Sequence, residues 1–492
     1  MNGVEHRETG SVFLRFGKVI VAGTIRATGS HALRLGLLVG AAWVFPLSGL
    51  HAETLYGALG KAYTANPTLN MQRASLRATN EGVPQALSGY RPTISGLANA
   101  GVRSSNFQVP AGATASGGGE AAWSTLYPRG LTLQINQNIF TGGRTVNSVR
   151  QAEATVQAGR EQLRFQEQSI LYDGAQAYMN VLQDTAVLSL QRNNVEVLEE
   201  QLRQTRDRFN VGEVTRTDVA QAEAALATGH AQEAAAAAAL KSSIATYRQI
   251  IGDDPRQLAP GQPVEKFLPR SVDAGVKIAL GAHPAIIAGL HSVDAQEFQV
   301  KVLEAQLLPQ LGVTGSVSRN YDSNYRRDLS TSASIVAQLN VPIYEGGLVY
   351  SQVRQAKEQV GQARIQVDVT REQVRQQVIA SWAALDAAKQ QIAASQSAVE
   401  ANEIALAGVR EEAKVGQRTT LDVLNAQQTL LSSRVQLVRA QRDRIVASYN
   451  VLGSIGRLSV TTLGVRVTKY DAKKHYEQVR DKWGGLQTPD GR

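Results

Sequence analysis

Two heptad ladders, set 204 residues apart (Val353 against Val149), constrain this chain more than any other feature of its sequence. The second reads Val353, Val360, Val367 and Val374, slips by four, and continues as Val378, Leu385, Ile392, Val399 and Leu406. The first reads Val149, Val156, Leu163 and Ile170, then Val181, Leu188, Val195 and Leu202, with Gly174 breaking the frame. A strict seven-residue apolar repeat winds helices into a left-handed supercoil, and a four-residue slip unwinds it locally, so both copies straighten at the same height. No proline stands between Pro128 and Pro255, or between Pro342 and Pro489, so each ladder lies in a stretch that helix can fill unbroken. From Thr145 to Asn210 a continuous helix reaches roughly 100 Å at about 1.5 Å per residue. Globular domains rarely contain such a rod, and here it is duplicated.

The duplication extends beyond the ladders. Phe140-Thr141-Gly142-Gly143 corresponds to Tyr344-Glu345-Gly346-Gly347 at a separation of 204, whereas Asn66-Pro67 and Arg91-Pro92 correspond to His283-Pro284 and Leu308-Pro309 at 217. The difference of 13 residues is an insertion in the first copy, assigned to the loop at 111–120, rich in Gly, Ala and Ser. Between the matched prolines and the glycine pairs the apolar period falls to two. Leu131, Leu133, Ile135 and Ile139 alternate with Thr132, Gln134, Asn136 and Asn138, and Ala333, Ile335, Ala337, Leu339 and Val341 alternate with Ser334, Val336, Gln338 and Asn340. Residues 93–103 and 311–319 read as their partner strands, one hairpin per half.

Four strands with one apolar and one polar face can neither satisfy their edges nor close a barrel, so they need partners. In a transmembrane barrel the apolar face meets lipid and the polar face lines a lumen. Trp123, Tyr127, Tyr321 and Tyr325 fall in or beside the hairpin loops, where an aromatic interface belt belongs. The competing arrangement, a soluble sandwich, calls for bulkier inward residues than these alanines and valines. The expected fold is mainly α with a β-barrel part: a long coiled-coil helical tunnel, an internal duplication and four strands per protomer.

Composition adds boundaries. Aromatics are only 5% and charged residues 19%, which suits closely approaching helices with small side chains. Arg7, Arg15, Lys18, Arg26 and Arg34 precede an apolar run ending near Leu47, the layout of a secretory signal peptide cleaved near Ala52. The chain contains no cysteine, which excludes disulfides and thiolate metal sites. Of the charge of +6 left when the leader's +3 is taken from the formal +9, much sits after Gly456, where Arg457, Arg466, Lys469, Lys473 and Lys474 cluster, and it reads as a solvated extension and not as the folded face of a nucleic-acid surface. The chain thus divides into a signal peptide at 1–52, a first repeat at 53–270 (hairpin 93–140, helices 145–252), a second at 271–456 (hairpin 311–343, helices 348–456) and a basic extension at 457–492.

Three segments carry a family resemblance. Val341-Pro342-Ile343-Tyr344-Glu345-Gly346-Gly347, Arg208-Phe209-Asn210-Val211-Gly212 with Thr217-Asp218-Val219, and Val415-Gly416-Gln417-Arg418-Thr419 with Leu421-Asp422-Val423-Leu424 resemble the TolC family of outer-membrane channels. The resemblance spans nearly everything from Glu53 to Gly456. It implies a homotrimer whose protomers share one outer-membrane barrel continued by a periplasmic tunnel, exporting substrates with an inner-membrane transporter and a periplasmic adaptor.

Within that resemblance the turns at Gly212 and Gly416 form the periplasmic tip, a closed entrance. Thr217, Asp218 and Arg418 match residues that link helices there, and Asp422 matches an acidic ring at the pore constriction. Ala413 stands where the family pattern has a linking Tyr, and Asn425 where a second acidic ring would be. Fewer links and weaker cation affinity are expected. Helix capping is the plainer role for Asp218 and Asp422.

No catalytic constellation, phosphate-binding glycine motif or metal-spaced pair stands out, so neither an enzyme nor a bound cofactor is expected. The alternative to a channel is a periplasmic coiled-coil structural or adaptor protein of an export complex.

Overall fold

The computed structural model describes residues 52–107, 122–323 and 326–491. The signal peptide up to residue 51, the insertion loop at 111–120 and Tyr325 lie outside the described residues. In chain order the elements are helices α1 (Leu55–Ala65), α2 (Pro67–Asn80) and α3 (Gly82–Leu87), then strands β1 (Thr93–Ala100), β2 (Arg103–Phe107), β3 (Ala122–Leu126) and β4 (Arg129–Phe140). The rods α4 (Arg144–Asn210) and α5 (Arg216–Ile251) follow, then α6 (Val272–Ala282) and α7 (Pro284–Glu304). The second set is β5 (Gln310–Tyr321), β6 (Leu329–Asn340), α8 (Leu348–Lys414) and α9 (Thr420–Ser454), and the tail carries α10 (Val460–Leu463) and α11 (Lys474–Val479).

Helices α4 and α8 each run for 67 residues, roughly 100 Å. Each starts after a glycine pair with positive φ, 63° and 85° at Gly142-Gly143 and 63° and 82° at Gly346-Gly347. The ladder positions are where the rods bury themselves: Val156, Leu163, Ile170, Val181, Leu188, Val195 and Leu202 on α4, and Val353, Val360, Val367, Val374, Val378, Leu385 and Leu406 on α8. Gly174, the break in the first frame, has a packing reason. A Cβ there would come within 3.0 Å of Leu59 Cδ2, so the missing side chain is the space in which α1 crosses the rod.

The strands form a four-stranded antiparallel sheet in the order β1-β4-β5-β6, joining the two halves through β4 and β5. Its register sorts the faces. Ile94, Ile135, Gly315 and Ile335 lie in one cross-strand row, and Gly96, Leu133, Val317 and Ala333 in another, with Ile335 84% and Leu133 51% exposed. The opposite face is joined by side-chain hydrogen bonds, Ser316 Oγ to Ser334 Oγ at 3.0 Å, Ser318 Oγ to Ser332 Oγ at 2.8 Å, and Thr314 Oγ1 donating to Asn136 Oδ1 at 3.0 Å. Among the described residues β1 and β6 each have one neighbour, leaving two open ladders.

The first hairpin departs from the expected continuous pair. Its strand stops at Ala100, and β2 and β3 form a separate two-stranded ribbon. Pro128 has no N–H for the ladder, so the connection narrows to Gly101 N donating to Pro128 O at 2.9 Å.

Below the sheet, α1, α2, α6 and α7 pack around the rods and bury Tyr63, Tyr178, Tyr247 and Tyr449. The start of the described chain is pinned to the linker between repeats: Glu53 N donates to Gln257 O at 2.7 Å, and Tyr178 Oη reaches both Glu53 O and Ala259 O at 2.6 Å. The segment Val272–Leu307 is long and apolar enough to cross a membrane by composition alone. It bends at His283-Pro284 into α6 and α7 and buries Ile286, Val293 and Val300 in the core. Burial pulls the His283 imidazole down to about 4, so it stays neutral and Nδ1 accepts from Ala285 N at the start of α7.

The tail corrects the solvated extension expected from its charge. Leu458, Val460 and Leu463 join the core, and His475 and Val479 are buried. Eight lysines and arginines give the segment its charge, but the apolar positions between them decide where it lies.

Candidate functional site

At the far ends of the rods two turns reverse the chain, and they are built alike. In the first, Gly212 at φ 82° donates its N–H to Phe209 O at 2.9 Å, and Glu213 N reaches back to Arg208 O at 2.9 Å. In the second, Gly416 at φ 79° donates to Ala413 O at 3.3 Å and Gln417 N to Glu412 O at 2.9 Å. This pairing satisfies carbonyls that the helix end leaves free, and it requires a left-handed residue at which only glycine is unstrained.

The returning helices begin with matched capping boxes. Thr215 Oγ1 accepts from Asp218 N at 3.3 Å, while Asp218 Oδ2 accepts from Thr215 N at 2.8 Å and Thr215 Oγ1 at 2.7 Å. Thr419 and Asp422 repeat this, with Asp422 N to Thr419 Oγ1 at 3.2 Å and Asp422 Oδ2 taking Thr419 N at 2.9 Å and Thr419 Oγ1 at 2.8 Å. These bonds favour the charged carboxylates. The Thr215 hydroxyl and N–H hold Asp218 below the ordinary aspartate value, helped by Arg208, and the Thr419 N–H and hydroxyl do the same for Asp422, helped by Arg418.

Two of the residues expected to link helices, Asp218 and Arg418, therefore have partners within their own turns. Arg418 Nε donates to Glu412 Oε2 at 2.8 Å, and Arg208 Nε donates to Glu213 Oε2 at 3.0 Å. Thr217 is exposed at the second position of α5, and Asn425 is exposed on α9. Among the described residues no hydrogen bond or ion pair joins one turn to the other. Thr217, the threonine matched by the resemblance, is not the capping residue of α5; Thr215 is, and the spacing Thr-x-x-Asp before each helix signals such a box.

One turn higher, Arg206 Nη2 donates to Glu223 Oε1 at 2.6 Å between α4 and α5, and Arg410 Nη2 donates to Gln427 Oε1 at 2.9 Å between α8 and α9. Both turns expose an apolar residue at the same place, Val211 and Val415, each 71% exposed. The site is thus a pair of capped hairpin tips carrying aspartates, arginines and valines, about one rod length from a sheet with a hydrogen-bonded polar face.

Known proteins resemble this chain in sequence and in fold. The family model described as outer membrane efflux protein matches residues 58–253 and 275–457, one span in each repeat. The outer membrane efflux protein BepC of Brucella suis is 44% identical over 443 residues, 90% of this chain and 93% of that protein. The outer membrane protein TolC of Escherichia coli is 29% identical over 426 residues, 83% of each. Among solved structures, the Campylobacter jejuni CmeC outer membrane channel shares the fold with a TM-score of 0.72 at 18% identity, over 87% of this chain and 89% of that one.

Proposed function

The chain belongs to the outer membrane efflux protein family, and from that premise we propose that three copies assemble into one export channel. It is a protein of the outer membrane. Four strands from each of three copies make a barrel of twelve, and the rods continue it as a periplasmic tunnel. The observation that carries this reading is the sheet itself, with an apolar face exposed, a polar face joined by hydrogen bonds, and open ladders on β1 and β6 that the strands of neighbouring copies would fill. The relatives, described as outer membrane proteins, favour the channel over a periplasmic adaptor.

At the tips, exposed Val211 and Val415 are the contact surface for a periplasmic adaptor, which links the tunnel to an inner-membrane transporter. Asp218, Thr217 and Arg418 are proposed as links between neighbouring helices of the closed entrance, with Asp422 and Asn425 at its constriction. Since Asp218 and Asp422 each use Oδ2 for the cap, a link or a ring would draw on the other oxygen. Arg418 would have to leave Glu412.

Mass measurement and electron microscopy of the detergent-purified protein test the assembly: a trimer with a projection of roughly 100 Å is expected, and a compact monomer overturns it. Single-channel conductance tests the entrance. Arg418→Ser with Asp218→Ala should raise conductance, while Thr215→Val, which removes only a cap, should not. Equal effects would reduce Asp218 to capping. Asp422→Asn should abolish blockade by multivalent cations, and a mutant blocked as strongly as the natural channel would place Asp422 outside the pore.

A further inference from the structure

The tail has a definite path, and it ends at a telling place. Val465 and Val467 pack beside Gly60, where a Cβ would approach Val467 Cγ1 to 3.0 Å. Tyr470 N donates to Tyr63 Oη at 3.1 Å, and Arg73 lies over both tyrosine rings at 4.6 and 5.1 Å. Helix α11 then runs beside α2, with Asn80 Nδ2 and His475 Nδ1 3.4 Å apart and Tyr476 Oη 3.3 Å from Glu153 Oε1. Finally Arg91 Nη1 donates to Lys482 O at 2.7 Å while its guanidinium lies 4.7 Å from the Trp483 ring centre.

Arg91 stands two residues before β1, and the neighbouring Tyr90 O accepts from Gln137 Nε2 of β4 at 3.1 Å. The tail is therefore fastened to the root of the sheet, where the strands meet the helices. Beyond the fastening, Trp483 is 74% exposed and Leu486 103% exposed. The root already exposes Tyr90, Phe140, Ile343 and Tyr344 at 51%, 51%, 93% and 80%.

We propose that Trp483 and Leu486 sit in the headgroup region of the bilayer leaflet nearest the helical part, so that the tail is a membrane-interface anchor tied to the barrel root by Arg91. The proposal rests on the barrel reading above. Three observations select anionic phospholipid as the occupant. Through Arg91 the exposed Trp483 is held at the root of strands read as crossing a bilayer, and Trp with its polar N–H is suited to the boundary of their apolar band. Two cations stand at Trp483, Arg91 with its guanidinium 4.7 Å from the ring centre and Lys482 next to it in the chain, placed to meet lipid phosphate. The Arg91 contacts hold the segment in place before it meets lipid, so little ordering remains to oppose insertion.

The absence of cysteine makes the test direct, because a single introduced cysteine takes a single nitroxide label. Full-length Leu486→Cys, Leu133→Cys on the apolar face of the sheet and Gln417→Cys at the tip are labelled and reconstituted in vesicles of phosphatidylethanolamine and phosphatidylglycerol. The Leu486 label should be relaxed by oxygen and shielded from a water-soluble nickel chelate, as the Leu133 label is, and the Gln417 label should show the reverse. Adding Arg91→Ala should raise nickel accessibility at position 486 severalfold and leave position 133 unchanged. A Leu486 label as open to nickel as the tip overturns the anchor. So does one shielded from both reagents, which would mean that a second copy covers it. A Leu133 label open to nickel overturns the barrel instead, a separate failure.

Discussion

The two hairpin tips share a backbone and reverse its charges. Arg208 occupies the last turn of α4 and pairs forward with Glu213, whereas the equivalent position of α8 is Glu412, paired forward with Arg418. The carbonyl end of a helix favours a cation and disfavours an anion. The first tip is therefore self-consistent, while in the second Arg418 offsets a carboxylate placed against its own helix. Higher up the same divergence recurs, Arg206 with the charged Glu223 and Arg410 with the neutral Gln427. Duplication preserved what the backbone requires, the glycines and the capping boxes, and released the side chains around them. The second tip is the one with an arginine under competing demands, and hence the better candidate for a part that moves.

The glycine pairs at the sheet root give the comparison its largest expected effect. A Cβ on Gly142 would meet Ala305 O and Leu308 Cβ, each at 2.7 Å, while around Gly346 nothing lies within 4 Å. Gly142→Ala should destabilise by about 3 kcal/mol, from the left-handed backbone and overpacking together, and Gly346→Ala by about 1 kcal/mol from the backbone alone. Denaturant unfolding of the detergent-solubilised protein measures both. If Gly346→Ala is as costly, a neighbouring copy fills the space beside it, and the asymmetry belongs to the protomer only.

At the capping boxes the halves should instead agree. Thr215→Ala and Thr419→Ala should each cost about 1 kcal/mol, seen as faster hydrogen exchange in the first turns of α5 and α9. Acid should act on both in parallel. Because the folded aspartates titrate below the ordinary 3.8, their contribution is complete above that value and is lost as pH falls through the lower folded values. Protection lost at one tip well before the other would show that the boxes are not equivalent.

The smallest effect separates the interhelical arginines. Glu223→Gln copies the second half into the first, and should change stability by roughly a few tenths of a kcal/mol while removing the salt dependence of α4–α5 pairing. An unaltered salt dependence would mean that the pair at Arg206 contributes nothing measurable.

Much of this architecture was legible in the sequence because it rests on periodicity. The ladders mark the buried positions of both rods, and the alternation around Leu133 and Ile335 marks the apolar face of the sheet. What escaped depends on few residues or on distant ones. The ribbon of β2 and β3 follows from a single proline facing Gly101, and the docked tail from five spaced apolar residues, Leu458 to Val467, set among conspicuous positive charge. At the tips the glycines, the aspartates and Thr419 are legible, whereas Thr215 stands two residues from Thr217 and local sequence does not say which of the two caps α5.

The equal length of α4 and α8 restricts how such a chain can evolve. Inserting one residue into a single rod would push its tip outward by about 1.5 Å and turn every position beyond it by about 100°, taking the buried ladder out of register with its neighbours. Growth by seven residues, about 10 Å, restores the ladder but leaves the two tips at different depths unless the other rod grows equally. Tunnel length in descendants of this chain should therefore change in paired steps, and single-residue variation should collect in the hairpin loops, where neither register nor depth is at stake.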